Sequence, residues 1–86
     1  MKIAIRGQVF KLKFGGAGKG NDGICECKFR KRKIRIKKSL RGRRRLEAIF
    51  HEMIHGGLWD LSERAVKELS RDMAKATWRL GYREKR

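Results

Sequence analysis

The chain has 86 residues, 40% of them apolar, and 25 Lys and Arg against 9 Asp and Glu give it a formal charge of +16. That length supports one small domain with a modest core, and the apolar content excludes a disordered tail. So strong a positive field draws polyanions, whether nucleic acid, an acidic membrane surface or an acidic protein, and says nothing about the fold.

The opening stretch MKIAIRGQVF carries no apolar run of signal-peptide length, and no later segment could span a membrane. A cytoplasmic protein without a membrane partner is therefore expected. Two cysteines, Cys25 and Cys27, are too few for a disulfide scaffold. With no proline, repeat or linker, residues 1–86 read as a single domain.

Alternation governs the first half. Ile3 and Ile5 share a face, as do Phe10, Leu12 and Phe14, then Cys25, Cys27 and Phe29, then Ile34 and Ile36. Period two with polar residues between predicts half-buried strands over about residues 2–38, in a small antiparallel sheet of three to four strands. The glycine-rich GGAGKGNDG at 15–23 predicts a hairpin connection. It is not a phosphate loop, because Lys19 is followed by Gly20 where that motif needs Ser or Thr.

The period changes near residue 41. Leu46, Ile49, Phe50 and Met53 predict an amphipathic helix over about 41–56, stopped by Gly56 and Gly57. Leu61, Ala65, Leu69, Met73, Ala76 and Leu80 predict a second helix over about 61–81, capped by Asp60 or Ser62. Strands followed by two helices make an α+β layout, with both helices expected on one face of the sheet.

Both histidines of the chain fall within HEMIH, residues 51–55. At i and i+4 on a helix, His51 and His55 stand one above the other, the placement two imidazoles need to converge on zinc. Glu52 is offset by one residue, beside such an ion and not on it, where a base for an activated water belongs. A solvated helix face is the bland alternative. A chain this basic would sooner put Lys or Arg there than both of its histidines.

An open zinc site needs a third protein ligand. If the second helix returns antiparallel across the first, its opening turn reaches the level of the two histidines. Glu63 lies in that turn and Asp60 just before it, while Asp72 lies about 13 Å beyond Glu63 at 1.5 Å per residue. Glu63 is the expected third ligand, with Asp60 the other candidate.

G-I-C-E at 23–26, I-R-I at 34–36, L-E-A-I-F-H-E-M-I-H at 46–55, W-D-L-S-E at 59–63 and W-R-L-G-Y-R at 78–83 also occur together in a known pattern. From Gly23 to Arg83 the chain resembles a family of small zincin-like, SprT-type metallopeptidases of phages and bacteria. The resemblance implies a minimal zincin-like fold, His51 and His55 as zinc ligands, Glu52 as catalytic base, and Glu63 at the family's downstream acidic position. Cys27 and the heavy Lys/Arg loading depart from that pattern. The longer motif with a third histidine does not hold, since Leu58 and Leu61 occupy its glycine and histidine positions.

The expected function is zinc-dependent hydrolysis of a peptide or protein substrate, with Zn²⁺ the cofactor and Glu52 the general base. Tyr82 is the one tyrosine available to an oxyanion, although packing is its more ordinary use; Trp59 and Trp78 read as packing residues too. Three alternatives stand beside this function. Cys25, Cys27, His51 and His55 could close a structural Cys₂His₂ site, the chain could keep the fold without activity, or the basic runs RKRKIRIKK and RGRRR could mark a nucleic-acid-binding module. A lysine-rich strand over 30–38 also resembles a protected sheet edge. As the border of a substrate cleft it would pair extended peptide, and Arg30, Lys31, Arg32, Lys33 and Lys37 would favour polyanions.

Overall fold

The structure, a computed structural model, describes residues 1–26 and 31–84. Strands β1 (Lys2–Ile5) and β2 (Gln8–Phe14) pair antiparallel with Ile5 opposite Gln8, so Arg6 and Gly7 make the whole turn. Both have positive φ, 49° and 79°. This is the hairpin turn whose twist suits the flanking strands. A non-glycine residue there is unusual, and the Arg6 guanidinium gains from it, donating to the carbonyl oxygen of Gly57 at 3.1 Å.

Strands β3 (Gly23–Glu26) and β4 (Lys33–Ile36) are antiparallel to each other, and β4 also pairs in parallel with β2. The sheet is mixed, in the order β1-β2-β4-β3. The antiparallel sheet expected from the alternation is thus corrected. Side-chain alternation assigns faces and carries no information about neighbours.

The glycine-rich segment is a crossover and not a hairpin. It carries the chain past β2 and leaves a gap that β4 fills. Its two ends are tied to the end of β4, where Gly15 donates its N–H to the Ile36 carbonyl at 2.7 Å and Lys37 donates to the Asp22 carbonyl at 2.7 Å. The basic strand β4 is therefore interior, contrary to the edge position expected for it. Its cations are tolerated there because they face the side of the sheet away from the core, while Ile34 and Ile36 face the core at 0% exposure. The edges are β1 and β3. Cys27, Phe29 and Arg30, also expected in this region, lie outside the described residues.

Helix α1 (Gly42–Gly57) packs on the sheet, and α2 (Glu63–Arg79) packs on α1 and, among the described residues, on no strand. The layers run sheet, α1, α2, which corrects the expectation of two helices on one sheet face. Ile5, Phe10, Leu12, Ile34, Ile36, Leu40 and Ala48 form the core, with Ile49 and Met53 packed against it.

The α2 stripe read from large side chains is also corrected. Its buried positions are Val66, Ser70 and Ala74, whereas Leu69 and Leu80 are exposed. Small residues let two helix backbones come close. The Ser70 hydroxyl is satisfied locally, donating to the Lys67 carbonyl at 3.1 Å.

The start of α1 has no acidic residue in its first turn and no side-chain cap. The tail after α2 supplies one: Gly42 donates its N–H to Glu84 Oε1 at 2.7 Å, and Arg45 lies 3.5 Å from the other oxygen. A carboxylate at a helix N-terminus is stabilised by the exposed N–H groups and the helix dipole. The helix runs through Gly56 and Gly57, which were expected to stop it, and ends at Gly57 with Leu58 as its C-cap.

Those glycines also have a packing role. A Cβ on Gly57 would sit 2.8 Å from Ile5 Cγ2, and one on Gly56 would sit 3.1 Å from the Phe10 ring. On helix propensity alone, Gly57→Ala should stabilise by up to about 1 kcal/mol. The close approach predicts the opposite sign, a loss of about 1–3 kcal/mol from overpacking, read as a lower thermal midpoint. An unchanged or raised midpoint would show that the contact is loose.

Candidate metal centre

The site is built where α1 runs between edge strand β3 and the start of α2. The turn joining the helices is short, with Leu61 donating its N–H to the Leu58 carbonyl at 3.0 Å. Ser62 caps α2, its Oγ accepting from the Ala65 N–H at 3.1 Å. That cap places Glu63 in the first helical turn, opposite the end of α1.

Glu63 then reaches both histidines. Its Oε1 lies 2.9 Å from His51 Nε2, and its Oε2 lies 2.9 Å from His55 Nε2. The two Nε2 atoms are 3.1 Å apart. Side-chain exposures of 19% and 24% make the imidazoles partly buried, while Glu63 is 62% exposed. Among the described residues, His51, His55 and Glu63 form the group able to hold a metal, with one donor atom from each within 4.8 Å of the others.

The donor set suits zinc. With bonds of about 2.1 Å, tetrahedral ligand atoms stand about 3.4 Å apart. The three separations here are a few tenths of an ångström shorter, so a small outward movement of the side chains would admit an ion. Two imidazoles and a carboxylate also leave a fourth position free, as an open site requires.

Glu52 is placed differently. It is 7% exposed and does not belong to the donor group, yet it lines the same cleft of ≈ 420 Å³ with His51 and Glu63. Burial pushes its carboxyl from the ordinary 4.5 to about 7, and the charge of Glu63 adds to the rise. A carboxyl poised near neutrality can take or give a proton at physiological pH.

Glycine makes that burial possible. Gly23 stands opposite Ile36 on the core side of β3, and a Cβ there would lie 2.8 Å from Glu52 Cγ. Sequence reasoning missed this role, as well as the part of the crossover in the cleft wall through Gly20, Asn21 and Asp22. The available signal was a glycine at a core-facing strand position, which marks a close approach. Asp22 is in turn joined to α1 by Arg44, whose Nε and Nη2 donate to its two oxygens at 3.2 Å each.

Other expected residues lie elsewhere. Asp60 is exposed in the turn, and neither it nor Asp72 joins the donor group. Cys25 does not join it either, and Cys27 lies outside the described residues. Tyr82 is 66% exposed and lines a separate pocket with Trp78 and Arg83, so it has no place in the cleft. Trp59, read as a packing residue, is 78% exposed. Trp78 does pack, with the Arg83 guanidinium 3.6 Å above its ring.

No family model matches the chain, and neither the curated proteins nor the solved structures contain a match. The reading of the site therefore rests on its own geometry.

That geometry gives a pH dependence of known sign. Because the folded-state pKa of Glu52 is raised, its burial is best tolerated when it is protonated. The associated stability is complete below the unfolded value of 4.5 and is lost as pH rises through about 7. In the presence of chelator, the wild type should lose stability relative to Glu52→Gln between about pH 5 and pH 8. Denaturant unfolding of both proteins at the two pH values measures it, and parallel curves would contradict the buried-carboxyl account.

Proposed function

We propose that this protein is a zinc-dependent peptidase of minimal zincin-like build, with the metal held by His51, His55 and Glu63. The observation that carries the proposal is the convergence of three donor side chains within 4.8 Å beside a buried carboxyl. Local charge supports it as well. Asp22, Glu47, Glu52 and Glu63 all line this cleft, four of only nine acidic residues in a chain of +16. A cation would be held in such a protein only where negative charge is gathered in this way.

The chemistry that a bound zinc ion supplies is Lewis acidity toward a carbonyl oxygen and toward water. Glu52 takes the proton of the attacking water on a carboxylate oxygen and delivers it to the leaving amine. Glu63, fixed by the Ser62 cap, holds the two histidines in register across the helix junction. Edge strand β3 borders the cleft, and its outer main-chain groups offer pairing to an extended peptide. This role passes to β3 because β4, on which the sequence suggested it, is interior.

The test is hydrolysis of a quenched fluorescent peptide library by zinc-loaded protein. Glu52→Gln should keep the metal and lower turnover by about 10²–10⁴-fold, the share typical of a general base. Turnover in Glu52→Gln equal to wild type would remove Glu52 from the mechanism.

A further inference from the structure

Helix α1 covers one face of the sheet; on the other, Gly16 and Gly18 of the crossover lie against Arg35 and Ile24, and no described helix or strand covers the rest. On this second face the cations stand in register. Lys2 is directly opposite Lys11, and Lys11 is directly opposite Lys33, so three exposed lysines form a row across β1, β2 and β4. The neighbouring row sets Lys13 opposite Arg35. Adjacent strands are about 4.8 Å apart, and like charges placed directly opposite one another destabilise a sheet.

The row also borders a depression. Lys31 and Arg32 join Lys2, Lys11 and Lys33 around a hollow of ≈ 290 Å³ whose remaining lining residue is Val9. Among the described residues, Glu26 is the carboxylate on this face: it stands directly opposite Lys33 at the β3 end of the row, with its Oε1 3.5 Å from Arg35. No ion pair among the described residues reaches the three-lysine row.

We propose that the bare part of this sheet face binds the phosphodiester backbone of nucleic acid without reading its sequence. The fold gains nothing from three lysines in register, since an alternating row of Lys and Glu would keep the face soluble and attract across strands. A polyanion laid across the row turns the mutual repulsion into attraction and releases counterions from its phosphates. The described part of the face holds no aromatic side chain on which a base could stack, so the contacts go to phosphate.

An acidic lipid surface fits less well. Membrane-surface binding needs apolar side chains to insert beside the cations, and the hollow offers only Val9. The carboxylate-rich cleft opens among α1, α2 and the crossover, and its lining shares no residue with this hollow. A nucleic acid on the sheet would leave that cleft free.

The experiment measures fluorescence anisotropy of a labelled duplex, as DNA and as RNA, titrated with protein in chelator over a series of salt concentrations. Chelator makes the outcome independent of the proposed peptidase. The wild type should bind with a log–log salt dependence that becomes shallower by about three in Lys2→Gln/Lys11→Gln/Lys33→Gln. Lys11→Glu, which makes the row alternate and so favours folding, should also weaken binding. The control, Arg64→Gln/Arg71→Gln/Lys75→Gln, removes the same charge from exposed positions of α2 and should keep most of the slope. An equal loss in that control would overturn the proposal in favour of diffuse net charge. So would salt-independent binding, or binding to phosphatidylserine vesicles without binding to either duplex.

Discussion

The structure turns on one buried carboxyl in the seam between a helix and an edge strand. Glu52 can lie there because Gly23 has no side chain; a Cβ would stand 2.8 Å from Glu52 Cγ. Its position sets the rotation of α1 about its own axis. With Glu52 turned inward, Ile49 and Met53 meet the sheet core, while His51 and His55 turn toward α2 and meet Glu63. The two glycines at the end of α1 bring the same helix down onto Ile5 and Phe10. Small residues at both contacts thus determine where the polar residues point.

The histidine pair and its glutamate were legible because their chemistry depends on short-range helical spacing, which sequence carries directly. Glu63 was legible for a related reason: a short turn leaves an antiparallel helix few residues with which to reach the site. Sheet order was not legible. Whether β3 folds back on β2 or passes it depends on how the crossover at 15–22 is tied to β4 by backbone hydrogen bonds, and no side-chain pattern records those. The buried face of α2 was misread because Leu69 and Leu80 are the larger residues, while close helix packing selected Val66, Ser70 and Ala74. Gly23 could have been noticed as a gap in core alternation, but its partner Glu52 is distant in sequence.

Charge is divided as sharply as the fold. The scarce carboxylates gather where the helices and the crossover meet, and cations occupy the opposite surface of the sheet in aligned rows. Neither distribution follows from net charge alone. In the cleft, burial and mutual repulsion keep Glu52 close to neutrality in its titration and leave a cation as the natural neutralising partner for the donors around it. On the sheet, strand pairing holds like charges at fixed separation and gives the surface an appetite for an extended anion.

The central claim is that His51, His55 and Glu63 bind one metal ion together. Zinc content after equilibration with buffered zinc and gel filtration, measured on the wild type and on His55→Ala and Glu63→Gln, tests it most directly. The account predicts about one equivalent per wild-type chain, near-complete loss in His55→Ala and weakened retention in Glu63→Gln, since an open zinc site takes three protein ligands. A wild type that emerges without zinc, or a His55→Ala protein that retains as much as the wild type, would contradict it.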